Sequence, residues 1–351
     1  GEGPLSLRME VDSGRVVGDG GALKLLAANG RAMNYSKLLV LDVNKRPVPA
    51  RLAVLGERRF SIQIDDADAV YPLWVDPILA PASPVDWQAT GVTPSVNASL
   101  GQSVADAGDI NGDGFGDLVV GAYLDKTESA TIEGRVHVYY GSATGWPETP
   151  DLTLDGTATQ SRHFGRSVSG AGDVNGDGFD DVIVGAPLHT NPESGEGAAI
   201  VYLGSVSGLS TSHAWIVEGD LLSARLGYSV AGAGDVNADG YDDVIVGAHQ
   251  YSNGENTEGV AFVYLGSAGG LEISPQALLE GDVAAADFGW SVAGAGDMNG
   301  DGYDEVIVGS PSYSNGEAGE GRAMVFPGSA AGVSTTAIYD FESDDPGASL
   351  G

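Results

Sequence analysis

Four short stretches of this sequence crowd oxygen-bearing side chains into nine residues each. The first holds Asp109, Asn111, Asp113 and Asp117, and the second Asp173, Asn175, Asp177 and Asp181. The third holds Asp235, Asn237, Asp239 and Asp243, and the fourth Asp297, Asn299, Asp301 and Glu305. Counted from the leading Asp, side-chain oxygens stand at positions 1, 3, 5 and 9. The backbone carbonyl of position 7 (Phe115, Phe179, Tyr241 or Tyr303) is placed to join them. Calcium, a hard cation that takes six to eight oxygens, suits such a set. Magnesium suits it less, because it uses few carboxylates and keeps its waters. Zinc is disfavoured, since the chain has no cysteine and the loops have no histidine. Position 6 is Gly114, Gly178, Gly240 or Gly302, where the chain must fold back with positive φ. The pattern opens like an EF-hand loop but closes at position 9, with β-branched runs beside it instead of helices. Ala238 replaces glycine at position 4 of the third loop, which predicts a stiffer loop. Glu305 replaces aspartate at position 9 of the fourth, which predicts a looser or bidentate site. A plain hairpin turn is the competing reading of Asn-Gly-Asp-Gly. Four copies that keep every oxygen favour calcium, one ion per copy and four in all.

The loops belong to a longer repeat. Asp109, Asp173, Asp235 and Asp297 are 64, 62 and 62 residues apart. Two further phrases keep the same phase. SLGQSV, HFGRSV, RLGYSV and DFGWSV precede the loops; EGRVHVYYGS, EGAAIVYLGS, EGVAFVYLGS and EGRAMVFPGS follow them. Self-similarity at a fixed period marks units that stack to bury a shared core. Runs such as Leu118-Val119-Val120 and Val182-Ile183-Val184 are short, β-branched and bounded by glycine, as in strands buried on both faces. Val136, Val138 and Tyr140 alternate with Arg135, His137 and Tyr139, which predicts a strand with two differing faces. Nothing reads as a capped helix. Four short strands in about sixty residues fit one blade of a β-propeller.

These phrases resemble the FG-GAP repeat of integrin α-subunit propellers and their secreted bacterial relatives. Phe164-Gly165 and Phe288-Gly289 keep the first pair of that motif, and Gly185-Ala186-Pro187 keeps its second triplet. Leu100-Gly101, Leu226-Gly227, Ala122-Tyr123, Ala248-His249 and Ser310-Pro311 depart mildly and leave the ion loops untouched. The resemblance covers roughly residues 84–351. It implies an all-β chain of propeller blades with calcium in the loops. The family usually has seven blades. Here four repeats are complete, and Ala348-Ser349-Leu350-Gly351 copies Ala98-Ser99-Leu100-Gly101, so a fifth begins at the end. Either further blades lie outside this sequence, or the terminal stretches 84–101 and 334–351 pair with another chain.

Residues 1–80 lack the repeat and read as a small, sandwich-like β-sheet domain before a propeller at 81–351. Phe60, Ile62 and Ile64 alternate with Ser61, Gln63 and Asp65, which predicts a half-buried strand. Leu38–Leu41 and Leu52–Leu55 read as its neighbours, with Asn44-Lys45-Arg46-Pro47 as a turn between them. The segment Tyr71–Pro77 is similar to one that precedes such repeats in large secreted bacterial proteins. Residues 80–85 read as a linker. With no initiator Met and no signal peptide, Gly1 reads as the start of a mature or trimmed piece.

Composition narrows the partners. A formal charge of -33, from 49 acids against 16 bases, opposes binding to nucleic acid or to an anionic membrane surface. It favours cations and an extracellular or cell-surface setting. No apolar run is long enough for a transmembrane helix. Catalytic motifs are weak. Gly347-Ala348-Ser349-Leu350-Gly351 has nucleophile-elbow spacing, but it is the repeat's own phrase, and Asn97 stands where its counterpart needs glycine. Lys24, Lys37, Lys45 and Lys126 follow no phosphate loop. His137, His163, His189, His213 and His249 scatter over repeat positions and read as surface or packing residues. The chain therefore reads as a non-enzyme.

One variable loop per repeat, Tyr123–Ile132, Pro187–Gly195, His249–Thr257 and Pro311–Gly319, carries Tyr123, His189, His249, Tyr251 and Tyr313 among small polar residues. Family resemblance places these loops on the face opposite the calcium, where a protein or glycan ligand is expected. Solvated hairpin tips are the plainer reading. Asn34-Tyr35-Ser36 and Asn97-Ala98-Ser99 are glycosylation sequons. The function read from sequence is calcium-stabilised extracellular adhesion, recognition or surface assembly. The alternatives are a subunit of an extracellular fibre or matrix, self-assembled through terminal strands, and a carbohydrate-active enzyme with calcium as scaffold.

Overall fold

A computed structural model of the chain describes residues 5–10, 15–19, 22–26, 32–41, 43–44, 46, 48–56, 58–65, 74–81, 98–126, 132–156 and 162–351. The chain divides into two compact units, Gly1–Gln88 and Ala89–Gly351. Every element among the described residues is a β-strand.

The first unit contains β1 (Leu5–Glu10), β2 (Arg15–Asp19), β3 (Ala22–Leu26), β4 (Ala32–Leu41), β5 (Ala50–Gly56), β6 (Arg59–Ile64) and β7 (Trp74–Pro81). They form one sheet of order β1-β6-β5 and another of order β2-β3-β4-β7, all antiparallel. Phe60, Ile62 and Ile64 are buried, as their alternation requires, and Ser61 is buried with them. The expected neighbours of this strand are half right. Leu52–Leu55 lies in β5 beside β6, but Leu38–Leu41 lies in β4, in the other sheet, and β1 takes that place. Trp74–Pro77 forms the start of β7. The rest of the Tyr71–Pro77 segment, Lys45 and Pro47 of the turn, residues 82–85 of the linker and Asn97 of the second sequon lie outside the described residues.

Among the described residues the second unit holds four antiparallel, four-stranded sheets, one per repeat, and these are the propeller blades. Blade 1 is β8 (Ser103–Asp106), β9 (Leu118–Ala122), β10 (Arg135–Tyr139) and β11 (Leu152–Asp155). Blade 2 is β12 (Ser167–Gly172), β13 (Asp181–Ala186), β14 (Ala198–Tyr202) and β15 (Trp215–Glu218). Blade 3 is β16 (Ser229–Gly234), β17 (Asp243–Ala248), β18 (Val260–Tyr264) and β19 (Ala277–Glu280). Blade 4 is β20 (Ser291–Gly296), β21 (Glu305–Ser310), β22 (Arg322–Phe326) and β23 (Tyr339–Glu342). The first strands β8, β12, β16 and β20 lie in series, each against the next.

The apolar cores sit between blades, which explains why the strands are apolar on both sides. Val182, Val184, Ala186 and Ile200 pack with Val119, Val136 and Val138 of blade 1. Ile183, Ala199 and Val201, one residue out of step, pack with Val244, Val246 and Phe262 of blade 3. Period-2 alternation therefore sends side chains of one strand into two different cores. Burying a Val or Ile fully is worth about 1.5–3 kcal/mol, so neighbouring blades hold each other. β10 has the two differing faces its alternation predicts: Val136, Val138 and Tyr140 pack in the core shared with blade 2, and on the other face His137 and Tyr139 are buried as well, with His137 Nδ1 3.0 Å from Thr153 Oγ1.

Gly185 marks a tight junction between blades. A Cβ there would lie 2.0 Å from the carbonyl oxygen of Gly227 in blade 3, and Gly121 and Gly247 meet Gly165 and Gly289 in the same way. At the far end β23 pairs with β22 inside its own blade, and Leu350 returns to form a parallel bridge with Gly321. So the part of 334–351 that forms a strand is the outer strand of blade 4. Its Tyr339 and Phe341, stacked at 5.9 Å, are 49% and 51% exposed. Residues 84–97 of the other terminal stretch lie outside the described residues.

Candidate metal centres

Each oxygen-rich loop joins the first strand of a blade to the second. In blades 2 to 4 the first strand ends in a register shift, at Gly170/Gly172, Gly232/Gly234 and Gly294/Gly296, which turns the chain into the loop. Position 6 has φ of +86, +90, +91 and +91 in the four loops, the left-handed conformation that glycine adopts freely.

The second loop shows the design. The Asp177 N–H donates to Asp173 Oδ1 at 3.0 Å and to Asn175 Oδ1 at 2.9 Å, so positions 1 and 3 converge on one point. The Gly178 N–H donates to Asp173 Oδ2 and the Phe179 N–H to Asp177 Oδ1. The first and third loops repeat this set through Asp109, Asn111, Asp113 and through Asp235, Asn237, Asp239. Each carboxylate oxygen keeps a lone pair beyond the one used here. Converged oxygens with spare lone pairs fit a hard cation. Ala238 takes φ +56 and its loop keeps every one of these bonds, so the substitution carries local strain of about 1 kcal/mol without changing the geometry.

Position 9 does more than the sequence indicated. Asp181 is fully buried. It accepts from the Val174 N–H at 3.0 Å and from the Gly204 N–H at 2.9 Å, tying the loop to the hairpin after β14. Asp117 and Asp243 do the same with Ile110 and Gly141, and with Val236 and Gly266. Burial, reinforced by the loop's other carboxylates and opposed by these N–H groups, pushes Asp117 up to about 6 and Asp181 and Asp243 up to about 7.

The fourth loop differs. Glu305 Oε2 accepts from the Met298 N–H, but its longer side chain carries Oε1 to the Asn299 amide, which in the other loops donates to position 5. Asp297 also accepts from the Gly300 N–H at 2.6 Å. We expect calcium titration of a Glu305→Asp chain to show the fourth site tightened several-fold, into line with the other three. An unchanged or weakened site would contradict that reading.

Position 8 was missed by the sequence analysis. The Asp109 N–H donates to Asp180 Oδ2 of the next blade at 2.6 Å, and the Asp180 N–H donates back to the Asp109 carbonyl. Asp173 with Asp242, and Asp235 with Asp304, form the same clamp. Glycine precedes position 1 because a Cβ at Gly108 or Gly172 would overlap Asp180 or Asp242. The signal was the Asp at position 8 in copies two to four, where copy one has Gly116. The leading Asp of each of the first three loops is thus positioned by the neighbouring blade. Asp242→Ala should weaken calcium at the loop of Asp173 about tenfold and leave its own loop little changed. Site-resolved titration by NMR would read this, and equal effects on both loops would contradict it.

The opposite face carries its own cluster. The variable residue in the phrase before each loop is Gln102, Arg166, Tyr228 or Trp290. These line a shallow pocket of about 210 Å³. Arg166 donates to Tyr228 Oη at 2.8 Å and lies 4.4 Å over its ring, Tyr228 meets Trp290 at 4.7 Å, and Trp290 is 39% exposed. His249, expected on a surface loop, is buried against Tyr228 and Trp290, and burial lowers it to about 4. His189 is buried as well. Tyr123, Tyr251 and Tyr313 are half-buried, against His163, Phe262 and Arg322. Residues 127–131 of the first variable loop lie outside the described residues.

The profile of the FG-GAP repeat matches residues 101–139, 164–203, 226–264 and 288–326, one match per blade. The chain is 33% identical over 233 residues to integrin alpha pat-2 of Caenorhabditis elegans, covering 62% of this chain and 18% of that protein. It is 34% identical over 224 residues to chicken (Gallus gallus) integrin alpha-V, covering 60% and 20%, and 38% identical over 154 residues to chicken integrin alpha-6, covering 43% and 13%. The chain thus spans about a fifth or less of the length of these relatives. With one repeat match on each blade and integrin α relatives along the same stretch, this chain is an FG-GAP repeat protein of the integrin α-like kind.

Proposed function

We propose that the four loops each hold one calcium ion and that the loaded blades present a recognition surface on their opposite face, outside the cell. The ligands are Asp109, Asn111, Asp113, the Phe115 carbonyl and Asp117; Asp173, Asn175, Asp177, Phe179 and Asp181; Asp235, Asn237, Asp239, Tyr241 and Asp243; and Asp297, Asn299, Asp301, Tyr303 and Glu305. The observation that carries this is the convergence of positions 1 and 3 on the N–H of position 5, repeated in every loop. Bound calcium supplies charge that the crowded carboxylates lack; the chain's own residues fix the loop and tie it to the next blade.

The kinship with integrin α chains supports adhesion or recognition without catalysis, and residues 1–80 are read as a separate preceding module. The Arg166, Tyr228 and Trp290 cluster is the contact point we favour, because aromatic and arginine side chains give large contact area at low entropic cost. Arrays of glycans and extracellular proteins, probed with and without calcium, test this. Binding lost in EDTA and weakened tenfold or more by Trp290→Ala supports the reading, and binding indifferent to both contradicts it. A fibre subunit is the second reading, favoured by the exposed Tyr339 and Phe341 on edge strand β23. Sedimentation velocity separates the two, since a fibre subunit grows with concentration.

A further inference from the structure

At the edge of blade 2 away from its ion loop, three side chains that the calcium sites do not use come together. His189 follows β13, Glu196 precedes β14, and Glu218 ends β15. One ligand atom from each lies within 4.8 Å of the others. His189 Nε2 is 2.9 Å from Glu218 Oε1. Glu196 is completely buried; its Oε1 accepts from the Asn191 N–H, while its Oε2 is buried without a hydrogen-bond partner. The Asn191 amide donates to both oxygens of Glu218, at 2.9 and 3.1 Å. One asparagine therefore aims both carboxylates at the imidazole. Outer hydrogen bonds of this kind orient the ligands of metal sites.

An orphaned, buried carboxylate oxygen is costly and calls for a partner. Burial, with the charge of Glu218 nearby, raises the Glu196 carboxyl above its usual range. The other blades build the same corner with different residues. Blades 3 and 4 repeat the asparagine and the two glutamates, as Asn253, Glu258, Glu280 and as Asn315, Glu320, Glu342. Where blade 2 has His189 they have Tyr251 and Tyr313. Blade 1 has Arg135, 3.3 Å from Asp125 and 2.6 Å from Asp155, and blade 4 has Arg322 on Asp340. Blade 2 has Ala198 at that arginine's place. Blade 3 likewise lacks the arginine, with Val260 there, and blade 1 has Asp125 at the place of His189, so only blade 2 sets an imidazole beside the two carboxylates.

We propose that His189, Glu196 and Glu218 form a binding site for a divalent transition metal of the zinc class, separate from the calcium loops. One imidazole nitrogen and two carboxylate oxygens are a ligand set for zinc or cobalt, which bind them at about 2.0–2.2 Å. Two ligands on one tetrahedral ion at those lengths stand roughly 3.3 Å apart, close to the spacing of His189 and Glu218. Calcium has little use for an imidazole. Glu218, with its side chain 24% exposed, borders solvent and gives the ion its entry. The fourth position is left for water or an outside ligand.

The test uses the whole chain with calcium in excess, titrated with Co²⁺ by visible absorption and with Zn²⁺ by calorimetry. His189→Tyr installs the residue of blades 3 and 4 and should fold. Glu196→Gln keeps the shape and removes the charge. The expected result is one equivalent of Co²⁺ with a tetrahedral absorption band, displaced by Zn²⁺. That band is lost in His189→Tyr, affinity falls tenfold or more in Glu196→Gln, and calcium stoichiometry is the same throughout. Absence of the band in the parent chain, or a band that survives in His189→Tyr, overturns the proposal. Since calcium is counted separately, failure of this site and failure of the calcium reading are distinguishable.

Discussion

In excess EDTA the chain should melt about 20 °C or more below its value in millimolar calcium. One ion held at a hundred times its dissociation constant adds roughly 2.7 kcal/mol, so four independent sites add about 11 kcal/mol. At about 2–4 °C per kcal/mol for a unit of this size, the shift is tens of degrees. Its pH dependence has a definite sign. Burial raises Asp117 to about 6 and Asp181 and Asp243 to about 7. A carboxyl raised in the folded state favours folding while protonated, so its contribution is full below about pH 4 and is lost as pH rises through 6 to 7. The ion-free chain should therefore lose stability from pH 5 to 8. Calcium offsets that loss, so the difference between the two melts should widen over the same range. Scanning calorimetry at pH 5, 6.5 and 8, with calcium and with EDTA, reads both. A gap that is small, or that narrows with rising pH, would contradict the account.

Gly185→Ala should be a severely damaging single methyl. The new Cβ would sit 2.0 Å from the Gly227 carbonyl oxygen, and that atom belongs to the backbone of blade 3. No rotamer relieves the overlap, so two blades must move apart at a core junction. The expected cost is at least about 3 kcal/mol, in the range of severe overpacking. Gly269→Ala is the control, because its nearest neighbour would be Ser267 Oγ at 3.7 Å and its φ is ordinary. That change should stay within about 0.5 kcal/mol. Denaturant melts of both chains make the comparison, and equal stability of the two would refute the packing argument.

Local features were legible in the sequence; features made by neighbours were not. The loops and the blade period could be read because their residues lie within nine positions of one another and recur in phase. The clamp of Asp180 on Asp109 spans 71 residues and exists only once two blades are side by side. In β10, alternation set His137 and Tyr139 on a face differing from that of Val136 and Val138 but could not say how far that face is buried. Both are buried all the same, with Thr153 of the next strand as partner for the imidazole. Leu38–Leu41 was placed beside Phe60–Ile64 because alternation identifies a strand and says nothing of which strand it pairs with. Arg166, Tyr228 and Trp290 escaped notice as the variable letter of a constant phrase. Equivalent positions of successive blades become neighbours in space, so a residue read as noise along the chain is part of a surface across it.

Native mass spectrometry of the chain, desalted and then supplied with calcium, counts the ions directly. Four calcium masses are expected on the intact chain and three on Asp177→Ala, whose second loop loses its position 5 oxygen. A chain that takes up no calcium at millimolar concentration, or a variant that still takes four, would show that these loops are turns and not ion sites.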